Sequence, residues 1–228
     1  MGRDNHPRER QLRNIARKNG RRPRYDRILI VCEGKKTEPN YFDAVKRYGR
    51  LSSAQVRAMP SEYGTLPQQV VDYAYDYCKN ENNQWETVFC VFDRDDHLNF
   101  ENAIRSAEAK SGRLKNDQGE AIQIVPVPSV PCFELWLFLH FEACMSEIER
   151  GDLYARLKSH LPDYEKGASF HFDATCDRLE HANTNASRIK CNRSGCKVTN
   201  PYTDVDVVVK ALMRLIELQK QFRESRRR

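Results

Sequence analysis

The sequence predicts an α/β fold, in which a parallel sheet is covered by helices on both faces and is followed by a helical region. Two segments carry this prediction, residues 28–32 (ILIVC) and 87–92 (TVFCVF), because both are continuous apolar runs. Such runs are typical of strands that are buried on both faces. Helical patterns lie between these strands, and strands that alternate with helices at this spacing favour right-handed βαβ crossovers.

The elements around the first strand follow from local residue patterns. After the first strand, a helix is predicted over 37–49, which starts with Thr-Glu-Pro, repeats apolar residues at helical spacing and ends at a glycine. Alternating polar and apolar residues predict a more exposed strand over 54–59. An apolar stripe at helical spacing predicts a second helix over 66–78.

The strand at 87–92 stops at an acidic run, residues 93–97 (DRDDH). A helix over 100–111 follows and is closed by a glycine, and then come a fourth strand over 121–127 and an apolar helix from 132 to about 144. The sheet is therefore expected to have about four strands.

Past residue 145 the strand pattern disappears, and three helices are predicted at 152–160, 176–188 and 204–222. The last of these is long and amphipathic. We expect four regions: a basic flexible arm at 1–26, an α/β domain at 27–145, a helical C-terminal lobe at 146–222 and a basic tail at 223–228.

Composition restricts the class of protein. With 228 residues, 39% hydrophobic and 10% aromatic, the chain can bury a sizeable core, which excludes low-complexity disorder for most of its length. We expect no membrane partner, because no apolar run approaches the roughly 18 to 20 residues of a membrane span. The N-terminal segment lacks the apolar stretch of a secretory signal, so a cytoplasmic protein with its eight cysteines reduced is expected.

The net charge of +6 is unevenly distributed. Residues 1–27 contain ten basic and three acidic residues, and residues 217–228 contain five basic and two acidic residues, so the two ends carry +7 and +3. The remaining body carries −4. Basic ends favour a polyanionic partner, which these ends would bind. The acidic body is expected to have a different chemical role.

Acidic residues follow three of the predicted strands. Glu33 follows the first strand, Asp93, Asp95 and Asp96 follow the third, and Glu134 lies just past the fourth. Ligands bind at the carboxyl ends of parallel strands, and alternate residues of an extended segment point to the same side. Clustered carboxylates suit Mg²⁺ or Mn²⁺, although each residue taken singly also fits a helix cap or a solvated turn.

At these residues the chain resembles a known group of proteins. An acidic residue and glycine after the first strand, with Asp-x-Asp after the third, resembles the Toprim fold of topoisomerases, bacterial primases and overcoming-lysogenization-defect nucleases. Four blocks resemble the RloB family more narrowly, namely residues 31–42 (VCEGKKTEPNYF), 92–97 (FDRDDH), 129–137 (SVPCFELWL) and 200–205 (NPYTDV). The resemblance covers roughly 26–216. RloB proteins are small Toprim-like proteins encoded beside an AAA-type ATPase in prokaryotic restriction and abortive-infection loci.

The resemblance implies a metal-dependent nuclease of antiviral defence, with nucleic acid as substrate and an AAA-type ATPase as partner. It implies that Glu33 is a general acid/base or metal ligand and that Asp93 and Asp95 are metal ligands. Asp96 would be an auxiliary ligand or a cap, and Glu134 a further ligand or a carboxylate stabilised at a helix start. The alternative is a non-catalytic subunit that binds nucleic acid or regulates an ATPase-containing defence complex.

Basic residues offer candidate phosphate contacts. Lys35, Lys36 and His97 flank the acidic residues, and a cation there can bind phosphate. A second basic segment can hold a nucleic-acid backbone, although an ordinary solvated loop explains it equally well; its members are Arg188, Lys190, Arg193 and Lys197.

Three other sites fit the sequence less well. Residues 34–37 (GKKT) lack the preceding glycine of a phosphate-binding Walker loop. The pair Cys191 and Cys196, with Cys176, His171 and His181 nearby, lacks the usual spacing of a zinc site. A flavodoxin-like receiver domain would need paired acidic residues after the first strand and a lysine after the last, and the sequence has neither.

Deletion of residues 1–24 is predicted to weaken binding to nucleic acid and to reduce its salt dependence, because these residues hold most of the excess positive charge. Folding should be affected much less. Fluorescence anisotropy with a labelled oligonucleotide at several salt concentrations measures both quantities. An unchanged slope of log affinity against log salt would contradict the tethering role of the arm.

Overall fold

A computed structural model describes residues 26–80, 83–94, 100–191 and 198–225. The predicted N-terminal arm, apart from its last residue, and the last three residues of the predicted tail lie outside this part of the chain. The strands are β1 (Ile28–Cys32), β2 (Val56–Pro60), β3 (Thr87–Asp93), β4 (Gln123–Val130) and β5 (Tyr202–Thr203).

The helices that follow β1, β2 and β3 are α1 (Thr37–Gly49), α2 (Pro67–Asn80) and α3 (Phe100–Lys110). The short α4 (Glu134–Phe138) follows β4. The C-terminal helical region contains α5 (Arg150–His160), a 3₁₀ turn at Cys176–Arg178, α6 (Leu179–Cys191) and α7 (Val205–Ser225).

The strands form one sheet in the order β2-β1-β3-β4-β5. Strand β1 pairs in parallel with β2 and β3, and β3 pairs in parallel with β4. All five residues of β1 are buried, as its continuous apolar sequence predicts. The predicted α/β fold with a parallel sheet, flanking helices and a helical C-terminal region is confirmed.

The two faces of the sheet bury separate hydrophobic clusters. Alternate residues of β1 divide between them, with Ile30 packed on one side and Leu29 on the other. The Leu29 side is covered by α2 and α3. The Ile30 side is covered by α1 and by the helices that follow β4, including α7. The C-terminal helices therefore share a core with the sheet, and the predicted division into two units stays a prediction.

Two details of the sequence prediction are wrong. The sheet has a fifth strand, because β5 pairs antiparallel with β4 through Thr203 opposite Ser129 and Tyr202 opposite Val130. A strand of two residues is too short to produce an alternating pattern, so the expectation that strands end before residue 145 fails. The helix expected from 132 to about 144 is also shorter than predicted, because only α4 is an α-helix there. An apolar run indicates burial, but it does not distinguish a short buried helix from the buried turns that follow it.

The sheet topology brings the ends of β1, β3 and β4 to one edge. These three strands are neighbours and run in the same direction, so the residues after each of them converge.

The five cysteines expected to be buried are indeed buried and free (Cys32, Cys78, Cys90, Cys132 and Cys144). Along the described residues, no helix has the length and apolar character needed to cross a membrane.

Leu212→Ala is predicted to lower the free energy of unfolding by about 2–5 kcal/mol, because Leu212 of α7 is fully buried in the core that α7 shares with the sheet. The control is Leu218→Ala on the same helix, where the leucine is 40% exposed and the expected change is within about 0.5 kcal/mol. Urea denaturation measures both. Equal effects of the two substitutions would show that α7 is not part of the cooperative core.

Candidate metal centre

A pocket of about 410 Å³ lies at the edge where β1, β3 and β4 end. Four acidic residues line it, Glu33, Glu38, Asp93 and Glu134. Four basic residues line it as well, Lys35, Lys36, Arg150 and Lys166. The predicted convergence of Glu33, Asp93 and Glu134 on one site is what the structure displays, although their chemical roles stay predictions.

Asp93 is the last residue of β3 and its side chain is 14% exposed. One carboxylate oxygen, Oδ2, lies 3.5 Å from Nη2 of Arg150. The other, Oδ1, is buried and has no hydrogen-bond partner among the described residues. Burial raises the pKa of Asp93 well above its ordinary value, and the neighbouring carboxyl groups, Glu38 first, raise it further.

Glu33 follows β1 and is fixed to the neighbouring strand. Its Oε2 accepts a hydrogen bond of 2.8 Å from the backbone N–H of Asp93, and its own N–H donates to the carbonyl oxygen of Val91 at 2.9 Å. The register of β1 against β3 therefore places the two acidic side chains side by side. The sequence predicts this arrangement, because acidic residues that follow neighbouring parallel strands are expected to lie close together.

Glu134 is the first residue of α4 and is only 2% exposed. The hydroxyl of Tyr164 donates a 2.7 Å hydrogen bond to its Oε1, and the hydroxyl of Tyr154 lies near the same carboxyl group. Burial, followed by the charge of Glu134, raises the pKa of both tyrosines well above the ordinary value, so both hydroxyls stay protonated. Glu134 is thus held by the region that follows α4.

Cys132 completes a compact group with two of these carboxylates. Its Sγ, one oxygen of Asp93 and one oxygen of Glu134 all lie within 4.8 Å of one another. Burial, followed by the charges of Glu134 and Asp93, raises the pKa of the thiol.

The residues fit a divalent cation. The unpartnered Oδ1 of Asp93 is a buried acceptor, and buried polar atoms are normally satisfied by a partner. Several carboxyl groups raise each other's pKa when they face one pocket, and a cation reverses that effect because it favours their ionised forms. Carboxylate oxygens are the ligands that Mg²⁺ and Mn²⁺ prefer.

A model of the RloB-like protein family matches residues 28–212, most of the chain. The chain belongs to the RloB-like family. The sequence blocks that carried the resemblance include the acidic residues of the pocket, so the family and the pocket are supported by the same residues. No curated protein and no solved structure matches this RloB-like chain.

Glu38 is a pocket residue that the sequence analysis missed. It lies in the first turn of α1, where Thr-Glu-Pro reads as an ordinary helix start. The side chain is buried. The carboxyl group lies so near to Gly34 that a Cβ there would be 2.1 Å from its Oε2, which explains the glycine.

Arg150, Tyr154, Tyr164 and Lys166 were also missed. All four come from the region between β4 and β5, and a single sequence shows no signal that links them to Asp93 or Glu134. The alternative zinc ligands His171 and Cys176 do not belong to the compact group with Cys132; His171 is buried and stacks on Tyr164 instead.

The predicted phosphate-binding residues divide into three sets. Lys35 and Lys36 line the pocket of the RloB-like chain and are exposed. Arg188 and Lys190 do not line it; Nζ of Lys190 forms ion pairs of 2.6 Å with Asp204 and with Asp206, which connect α6 to the start of α7. The other predicted phosphate-binding residues, His97, Arg193 and Lys197, lie outside the described part of the chain, as do the predicted metal ligands Asp95 and Asp96.

Glu38→Gln is predicted to stabilise the protein increasingly as pH rises. Burial raises the pKa of Glu38 above its ordinary value of 4.5 in the folded state, so the folded protein binds the carboxyl proton more tightly than the unfolded chain does. As pH rises through the raised pKa, the parent loses this stabilising contribution, whereas a glutamine stays neutral at every pH. The difference in unfolding free energy between variant and parent should therefore grow from pH 4.5 to pH 8.

Urea denaturation at several pH values measures this difference. The control is Glu108→Gln, which changes an exposed glutamate of α3 and should show no such trend. A Glu38→Gln variant whose advantage shrinks with rising pH would contradict a buried, protonated Glu38.

Proposed function

We propose that this RloB-like chain is a divalent-metal-dependent nuclease that hydrolyses phosphodiester bonds in DNA or RNA. The observation that carries the proposal is the buried, unpartnered oxygen of Asp93, flanked by Glu33 and Glu134 at the ends of adjacent strands. Family membership supports it, because the residues of the pocket lie within the matched region. A role in antiviral defence with an AAA-type ATPase follows from the resemblance to RloB proteins.

The three carboxylates Glu33, Asp93 and Glu134 would hold Mg²⁺ or Mn²⁺. Such an ion, when bound, polarises a phosphoryl oxygen and lowers the pKa of a bound water. Asp95 and Asp96 remain expected ligands from the sequence.

The chain's own residues bind the substrate and move the proton. Glu33 is the proposed acid/base group, since its Oε2 is held at a fixed position by the N–H of Asp93. The guanidinium of Arg150 stands 3.5 Å from Asp93 and is 36% exposed to the pocket and solvent, so it can contact a phosphate. Lys35, Lys36 and Lys166 add positive charge around the acidic centre, which attracts the polyanion and offsets its repulsion by the carboxylates.

The two basic ends and the residues Arg188, Arg193 and Lys197 are proposed backbone contacts, and His97 stays an expected phosphate contact beside the acidic residues. Phosphate contacts of this kind hold a nucleic acid without reading its sequence. Lys190 contributes to this surface less than its neighbours, since its charge is already paired with Asp204 and Asp206.

Asp93→Asn is predicted to reduce cleavage by at least about 100-fold, because the amide cannot supply the negative charge that the cation needs. The variant should fold at least as well as the parent at pH 7, since the substitution removes a buried repulsion. Purified protein is incubated with Mg²⁺ or Mn²⁺ and a panel of DNA, RNA and tRNA, with and without the partner ATPase. The matched control is Asp163→Asn, an exposed aspartate.

Full activity of Asp93→Asn would contradict the mechanism. If the parent binds nucleic acid but never cleaves it, with or without the ATPase, the chain is instead the non-catalytic subunit that the sequence left as the alternative.

A further inference from the structure

The thiol of Cys132 lies beside two carboxyl groups of the pocket. Its Sγ and the oxygens of Asp93 and Glu134 form the group in which all ligand atoms lie within 4.8 Å. Cys132 is 1% exposed. Cys144, by contrast, is a buried thiol that donates to the backbone carbonyl of Ser146.

The three ligand atoms are grouped closely enough to approach one ion. Zinc binds sulfur at about 2.3 Å and carboxylate oxygen at about 2.0–2.2 Å, so two ligands of one tetrahedral ion stand about 3.5 Å apart. The three atoms all lie within 4.8 Å of one another, so inward movements of the side chains would bring them to that spacing.

A second observation points to a ligand at the same place. Oδ1 of Asp93 is buried and has no hydrogen-bond partner among the described residues, so one acceptor of the group remains available. Oxygen ligands alone would favour Mg²⁺, whereas an added thiolate shifts the preference towards Zn²⁺ and other soft ions.

We propose that Cys132, Asp93 and Glu134 form a mixed thiolate–carboxylate site that binds Zn²⁺ in competition with Mg²⁺. When the sulfur–zinc bond forms, the thiol proton is released to solvent. Because Zn²⁺ occupies Asp93 and Glu134, it inhibits the Mg²⁺-dependent cleavage proposed above. This regulatory consequence rests on the proposed function, but the zinc site itself does not.

Cobalt(II) is the spectroscopic probe, because a thiolate–cobalt bond gives a charge-transfer absorption that carboxylates do not give. The full-length chain carrying Cys191→Ser and Cys196→Ser is titrated with Co²⁺, so that the exposed thiol of Cys191 and the thiol of Cys196 do not contribute. The expected result is a charge-transfer band that saturates at one equivalent and disappears when Zn²⁺ is added.

Cys132→Ser and Cys132→Ala in this background should both lose the band and bind Zn²⁺ at least about tenfold more weakly in competition with a chromophoric chelator. Cys144→Ser is the matched control for loss of a buried thiol, and it should keep the band. Circular dichroism establishes that each variant is folded, and two replacements at Cys132 guard against a folding defect in one of them.

A band that persists in both folded Cys132 variants, or no band in the background protein, overturns the proposal. The cobalt readout needs no nuclease activity, so the two proposals fail separately. A chain that never cleaves nucleic acid can still show the Cys132-dependent band, and an active nuclease without the band refutes only the zinc site. Where cleavage is observed, Zn²⁺ should inhibit it, and inhibition that Mg²⁺ cannot relieve contradicts the competition.

Discussion

The structure depends on how four acidic side chains are accommodated in one partly buried pocket. For Asp93 and Glu38, desolvation and the neighbouring carboxyl groups both disfavour the ionised form, and Glu33 and Glu134 line the same pocket. The backbone N–H of Asp93 donates to Glu33, Tyr164 donates to Glu134, and Arg150 forms an ion pair with Asp93, and these contacts reduce the repulsion. One oxygen of Asp93 is left without such a partner in the described chain. This oxygen belongs to a group of ligand atoms that could hold a metal ion.

The sheet and the C-terminal helices build this pocket together. The parallel strands bring Glu33 and Asp93 to one edge, and the following helical region supplies Arg150 and the tyrosine Tyr164 that holds Glu134. The sheet and the C-terminal helices share a hydrophobic core on one face of the sheet, and this core fixes the relative positions of these side chains. A perturbation of that core is therefore expected to affect the chemistry of the pocket as well as the stability of the fold.

Sequence patterns predict the parts of the structure that have local causes. Buried strands have continuous apolar runs, so β1 and β3 were recognisable, and the acidic residues after them were expected at one edge. Glu38 was not recognised as a pocket residue because an acidic residue is ordinary in the first turn of a helix. Arg150 was not recognised because it is 57 residues away in sequence from Asp93, its partner in the pocket. Lys190 appeared to be a free surface charge, since its ion pairs with Asp204 and Asp206 form only when α6 and α7 pack.

The most direct test of the central claim is the thermal unfolding of the full-length protein at increasing Mn²⁺ concentration. A cation that binds the folded chain at Asp93 should raise the midpoint, by an amount equivalent to about 2.7 kcal/mol at a hundredfold excess over its dissociation constant. The Asp93→Asn variant should start at least as stable and respond much less. If the unfolding midpoint of the parent protein does not change with Mn²⁺, or if the midpoint of the variant rises equally, the account of this pocket as a metal centre is contradicted.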